Sequence, residues 1–183
     1  MDPRLIPIFK RSFSHIDHVT FISIHQKLAE SEYDFHIPIG NLGKFFRNSR
    51  NDFNLQPSSY LKADENQIES LRKKINKNQQ KICGVSWLSF NSSIGKNKSI
   101  PFNQIKPIIN NTKYSFINLQ HGIIKEDVSP SDLICIEEVN LYDDIDSVAS
   151  LISMCDIVTT ISNTIAHLAG SLNIKTYLLL PYG

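Results

Sequence analysis

The chain has 183 residues, 41% of them hydrophobic and 20% charged, which fits one globular domain or one domain plus part of another. A formal net charge of +1 leaves no basic excess for a polyanion-binding surface, so nucleic acid is not an expected partner. No run approaches the roughly 18 apolar residues of a membrane span. Met1-Asp2-Pro3-Arg4 also lacks the basic-then-apolar layout of a secretory signal, so a cytoplasmic location is expected.

Residues 1 to about 60 are irregular in pattern. Leu5, Ile8 and Phe9 follow helical spacing, and an apolar stretch runs from Val19 to Ile24. Phe35-His36-Ile37-Pro38-Ile39 reads as a strand end, with Gly40 and Gly43 as punctuation before Phe45 and Phe46. The polar stretch Arg47 to Ser59 reads as a linker. From Asp64 onward the pattern becomes regular. Asp64 suits the cap of a helix running to about Asn76, with Ile68, Leu71 and Ile75 on one face. The basic stretch from Arg72 to Lys81 carries Lys and Arg in a helical pattern beside Glu65 and Glu69, as on a solvated face. Ile82 to Trp87 is a buried-strand candidate, and Pro101 opens a helix carrying Ile105, Ile108 and Ile109. Strands are expected at Tyr114 to Leu119 and Asp132 to Ile136, and a helix from Asp146 to Met154. The β-branched run Ile157 to Ile161 is a strand, Asn163 to Leu172 a helix and Thr176 to Leu180 a strand. Alternating strands and helices imply an α/β fold, a Rossmann-like parallel sheet with helices on both faces. Cys83, Cys135 and Cys155 are far apart with no CxxC pair, so neither a disulfide framework nor a zinc site is expected; all three read as buried thiols.

The chemistry concentrates between Asp156 and Pro181. Ligands of an open parallel sheet bind at the carboxyl ends of the strands, where a helix N-terminus offers unpaired N–H groups and a partial positive charge. Ser162, Asn163 and Thr164 stand at such a point, after an apolar strand. Either Ser162 or Asn163 also suits a plain helix cap. His167 falls about one turn into the helix, on the side of Asn163 and Thr164.

Asp156-Ile157-Val158 through the run SNTIAHLAGSLNIKTYLLLP resembles the signature of bacterial GT-B glycosyltransferases related to heptosyltransferases and often fused to tetratricopeptide repeats. Other elements match in order. They are Asp2-Pro3-Arg4-Leu5 with Arg11-Ser12-Phe13, Pro38 to Leu42, and Tyr60 to Asp64, which resembles the start of the helix linking two GT-B domains. Ile82 to Trp87, Lys98 to Pro101, Asn118 to Gly122 and Asp144 to Ala149 follow. Ser14 stands where proline is usual, and Leu88 where a basic residue is common.

The resemblance implies a partial N-terminal GT-B domain and linker over residues 1–60, then a C-terminal nucleotide-sugar-binding Rossmann-like domain over 61–183. It implies a fragment of a hexosyl- or heptosyltransferase, without most of its N-terminal domain and a C-terminal tail. The donor would be a nucleotide-diphosphate sugar and the acceptor a glycan, a lipid-linked molecule or a protein. Neither cofactor nor metal is expected, because the helix end and a basic side chain neutralise the leaving diphosphate. Ser162, Asn163 and Thr164 would meet that diphosphate, with Lys98 as the basic group. Gln120 would line the base or ribose pocket, or else be a turn residue. His167 would be a ligand or a packed helix histidine. Asp146 would orient the cleft or cap its helix, and Trp87 would stack or pack in the core. His15, His18, His25 and His36 are present, but nothing marks one as the catalytic base. Other readings stay open: a sugar-nucleotide epimerase of the same fold, a non-catalytic nucleotide- or protein-binding module, or a flavodoxin-like domain. The last would want an acidic cluster at the first strand's end, which Cys83 to Trp87 lacks.

Overall fold

Ile82-Cys83-Gly84-Val85-Ser86-Trp87 has no charged face, so a strand built from it needs cover on both sides. In the computed structural model, which describes residues 1–75, 80–110, 113–122 and 133–181, it has that cover. The central strand β1 (Lys81–Ser86) lies between β2 (Tyr114–Asn118) and β3 (Ile157–Ile161), and β4 (Thr176–Leu179) adds to the far side of β3. All pairings are parallel and the order is β2-β1-β3-β4. The helices are α1 (Ile6–Ser12), α2 (Gly43–Phe46), α3 (Glu65–Ile75), α4 (Gly95–Lys98), α5 (Phe102–Ile109), α6 (Ile145–Ser153) and α7 (Thr164–Ser171).

Alternate residues of β1 face opposite cores. Ile82 joins Ile117, Val158 and the apolar stripes of α1, α3, α6 and α7. Cys83, Val85 and Trp87 join Phe116 and the Phe102, Ile105 and Ile109 stripe of α5. A right-handed crossover puts its helix on one face when the chain steps one way across the sheet, and on the other face when it steps back. The β1-to-β2 and β3-to-β4 steps run in opposite directions, so α5 and α7 lie on opposite faces. The expected fold class is the observed one.

Local signals explain several ends. Asp64 accepts hydrogen bonds from the N–H groups of Asn66 and Gln67 and so caps α3. Asn173, at φ 60°, closes α7 in the left-handed conformation, and the Ile174 N–H returns to the Ala169 carbonyl. Asp156, the acidic residue before β3, accepts from the Ile82 N–H at 2.7 Å and thereby fixes β1 against β3.

Three expectations are corrected. The strand end expected at Phe35 to Ile39 does not form. Residues 14–60 contribute no strand, and Phe35 and Ile39 stand 91% and 83% exposed with no neighbouring strand to pair with. Of the strand expected at Asp132 to Ile136, Asp132 lies outside the described residues, and Ile134 makes a single parallel bridge to Ile117. Cys135 beside that bridge is exposed, whereas Cys83 and Cys155 are buried. Residues 1–13 pack onto the sheet domain. Ile8 is fully buried in the core shared with α6, and Ser12 Oγ accepts from the Lys62 N–H at 2.8 Å.

Candidate functional site

The direction in which the chain steps across the sheet reverses between β1 and β3, where Ser86 pairs with Thr160. That switch point is where an open α/β sheet forms a ligand crevice, because the helices that follow the two strands diverge to opposite faces. Here the strand ends are laced by a chain of side-chain hydrogen bonds, buried at Gln120 and half-buried at Asn163. The Asn163 carboxamide oxygen caps α7 by accepting from the Ile165 and Ala166 N–H groups, at 3.1 and 3.4 Å, and also accepts from Thr160 Oγ1. Its amide nitrogen donates to Ser86 Oγ at 2.9 Å. Ser86 Oγ donates in turn to Gln120 Oε1 at 3.0 Å. The same oxygen accepts from the Trp87 and Leu88 N–H groups, and Gln120 Nε2 donates to the His121 carbonyl.

Above this lacing lies a cleft of about 480 Å³. Ser162, Asn163, Thr164 and His167 of the α7 start line it, and so does Lys98 at the end of α4. The loop that carries Lys98 folds back tightly. Asn91 Oδ1 accepts from the Ser93 and Ile94 N–H groups, and Ser89 N donates to Ser99 Oγ. Gly95 sits where a Cβ would fall 2.4 Å from the Ser89 carbonyl oxygen, so no larger residue fits the fold-back. Arg4, Phe90, His121 and Tyr142 line the remainder of the cleft.

The electrostatics of the cleft are one-sided. Arg4 and Lys98 are its charged groups, and among the described residues no Asp or Glu lines it. Arg4 is tethered by Asp2 at 2.8 Å, and this guanidinium holds the Asp2 carboxyl down at about 2. Burial, aided by the Arg4 charge, pulls the His121 imidazole below its ordinary value, so it is neutral at pH 7. The Lys98 ammonium and the Ser162 and Thr164 hydroxyls bond to no described residue and face the cleft uncommitted. An uncommitted ammonium, two hydroxyls and a helix N-terminus together suit an anion with several oxygens. A larger concavity of about 690 Å³ lies where residues 59–66 cross the helical face. Its lining mixes Arg11 and Arg72 with Asp64 and Glu65, so it has no comparable preference of charge.

No family model matches the chain, and no solved structure matches it. It is similar to Protein FlbA of Caulobacter vibrioides, with 21% identity over an alignment of 201 residues. That alignment takes in 98% of this chain and 33% of FlbA, so the chain spans about a third of its relative's length.

Of the residues singled out from sequence, Lys98, Ser162, Asn163, Thr164 and His167 meet at one cleft. Asn163 is there as the cap, its carboxamide already committed to α7, Thr160 and Ser86. Three others are placed differently. Gln120 is 2% exposed and turns inward to brace Trp87 and Leu88, so it does not line a base or ribose pocket. Trp87 is 1% exposed and packs on Phe102 with ring centroids 5.1 Å apart, which leaves no face for a ligand. Asp146 neither caps α6 nor faces the cleft. Asp144 is the cap, accepting from the Ser147 N–H, and Asp146 makes a forked ion pair with Arg11. Arg4, Phe90, His121 and Tyr142 were missed. His121 was findable, since it follows β2 at the carboxyl edge. Arg4 and Tyr142 stand 138 positions apart in sequence, and only the packing of the N-terminal residues onto the sheet domain joins them.

Proposed function

We propose that this chain supplies the nucleotide-sugar-binding domain of a GT-B glycosyltransferase, of the heptosyltransferase-like and tetratricopeptide-repeat-associated kind, acting in the cytoplasm. The observation that carries this reading is the cleft at the sheet's switch point, where Lys98, Ser162, Thr164 and the start of α7 converge and, among the described residues, no carboxylate intrudes. Glycosyl transfer leaves a nucleoside diphosphate behind, and charge grows on its terminal phosphate as the sugar departs. An ammonium and a helix N-terminus stabilise that charge without needing a metal. In this reading Lys98 takes the terminal phosphate, Thr164 and Ser162 donate hydroxyls, and Asn163 positions the helix end that holds them. The acceptor class is a glycan, lipid-linked molecule or protein. Among the described residues no helix is long and apolar enough to cross a membrane.

Titration calorimetry with a panel of nucleoside diphosphates, in EDTA and again with magnesium, tests the proposal. Binding should be equal in the two buffers. Lys98→Ala with Thr164→Ala should weaken it several-fold, since both partners are charge-assisted donors. Unchanged affinity in that double variant removes both residues from the site. Binding that vanishes in EDTA sinks the metal-free chemistry.

A further inference from the structure

Four side chains in the cleft have no task in holding phosphate. Phe90 and Tyr142 keep 58% and 56% of their surface open, although each already has a ring neighbour. The His121 ring lies between them, with centroids 5.0 Å from Phe90 and 5.3 Å from Tyr142. The Arg4 guanidinium sits 4.9 Å from the centroid of the Tyr142 ring. Large rings left open to water inside a cleft are unusual for core residues, and these are held in place. Gly122, at φ +90°, lies so close to Phe90 that a Cβ there would stand 2.5 Å from the ring. Arg4 is forked onto Asp2 and also donates to the Tyr142 carbonyl at 2.9 Å.

We infer that Arg4, Phe90, His121 and Tyr142 form a stacking platform for the nucleobase of the bound nucleotide. The inference rests on the phosphate-binding reading above, because it is the shared cleft that makes the planar group a nucleobase. The chemistry fits in three ways. Rings and a guanidinium offer π and cationic faces to a flat heterocycle, and every base has such a face. Ordering before binding keeps the entropic cost of stacking low. His121, neutral at pH 7, presents one ring nitrogen as donor and the other as acceptor, and so can meet the polar edge of a base.

Calorimetry that compares nucleoside diphosphates with inorganic pyrophosphate tests this separately from the phosphate reading. One stacked base is worth about 5- to 150-fold in affinity, so the preferred diphosphate should bind at least about tenfold more tightly than pyrophosphate. Phe90→Leu and Tyr142→Leu should each reduce that preference and leave pyrophosphate affinity unchanged. Tyr142→Phe, which keeps the ring, should retain the preference and controls for folding. If pyrophosphate and every nucleoside diphosphate bind equally, the platform is wrong and the phosphate reading stands. If both leucine variants keep the full preference, the base lies elsewhere and the platform is again wrong. If neither class of ligand binds, both readings fall together.

Discussion

Replacing Gln120 by leucine separates a brace from a ligand contact. The Gln120 carboxamide oxygen is the acceptor for the Trp87 and Leu88 N–H groups and for Ser86 Oγ, at 3.0, 2.7 and 3.0 Å, and the side chain is 2% exposed. Leucine conserves much of the volume but accepts nothing. The Ser86 hydroxyl can turn to another partner, whereas the two backbone donors cannot move without unwinding the end of β1. A buried donor left unpaired costs about 1–3 kcal/mol, so two cost about 2–6 kcal/mol. For a chain of this size each kcal/mol lowers Tm by about 2–4 °C, which predicts a fall of about 8–16 °C at the middle of that range. Differential scanning fluorimetry of Gln120→Leu and Gln120→Glu supplies the test. The carboxylate of Glu can accept all three bonds, but its charge would be buried and one oxygen would face the His121 carbonyl with no proton to give, so it should lose stability as well. Nucleotide affinity per folded molecule should change little in either variant. A Gln120→Leu protein that melts within about 2 °C of wild type, or one that keeps its Tm but loses nucleotide binding, would refute the brace and restore the pocket role.

Arg11→Ala should free α1 from the sheet domain, because Arg11 joins Lys62 O and both oxygens of Asp146. With the two side chains 29% and 23% exposed, solvent screens part of the interaction, and a loss of about 1–3 kcal/mol is expected by urea denaturation. His121 should make the fold acid-sensitive. Its folded pKa lies below the unfolded value, so as pH falls through the ordinary histidine range near about 6.5 the unfolded chain takes the proton first and stability drops. Urea midpoints measured from about pH 7.5 to 5 should show that slope, and His121→Gln should flatten it; an identical slope in both proteins would sink the assignment. Thiol labelling under native conditions should find Cys135 fast and Cys83 and Cys155 slow, since burial raises the pKa of both of the latter. Rapid labelling of all three would mean that the β1 core opens readily.

Strand and helix identity could be read locally wherever one residue pattern left no alternative. Ile157 to Ile161 is β-branched throughout and became β3; Asp64 and Asn163 stand before helical patterns, and both cap. The start of α7 was legible for the same reason, because a helix that follows a buried strand must begin at the sheet's carboxyl edge. Partnership was not legible. Asp144 and Asp146 lie two residues apart at one helix start, and what distinguishes them is that Arg11 of α1 arrives beside the second. Phe35 to Ile39 has strand-like residues, yet a strand needs a neighbour and none reaches it.

Residue order along the chain thus determined the alternating sheet, the α7 N-terminus and the nearby small polar residues, since periodicity, caps and β-branching act within a few residues. Tertiary structure alone decided which side chains share the cleft. Arg4 reaches Tyr142 across 138 positions, Gln120 turns inward to the backbone of β1, and Lys98 faces α7 because its loop folds back over Gly95. Each of these depends on packing between elements far apart in sequence, where no local preference acts.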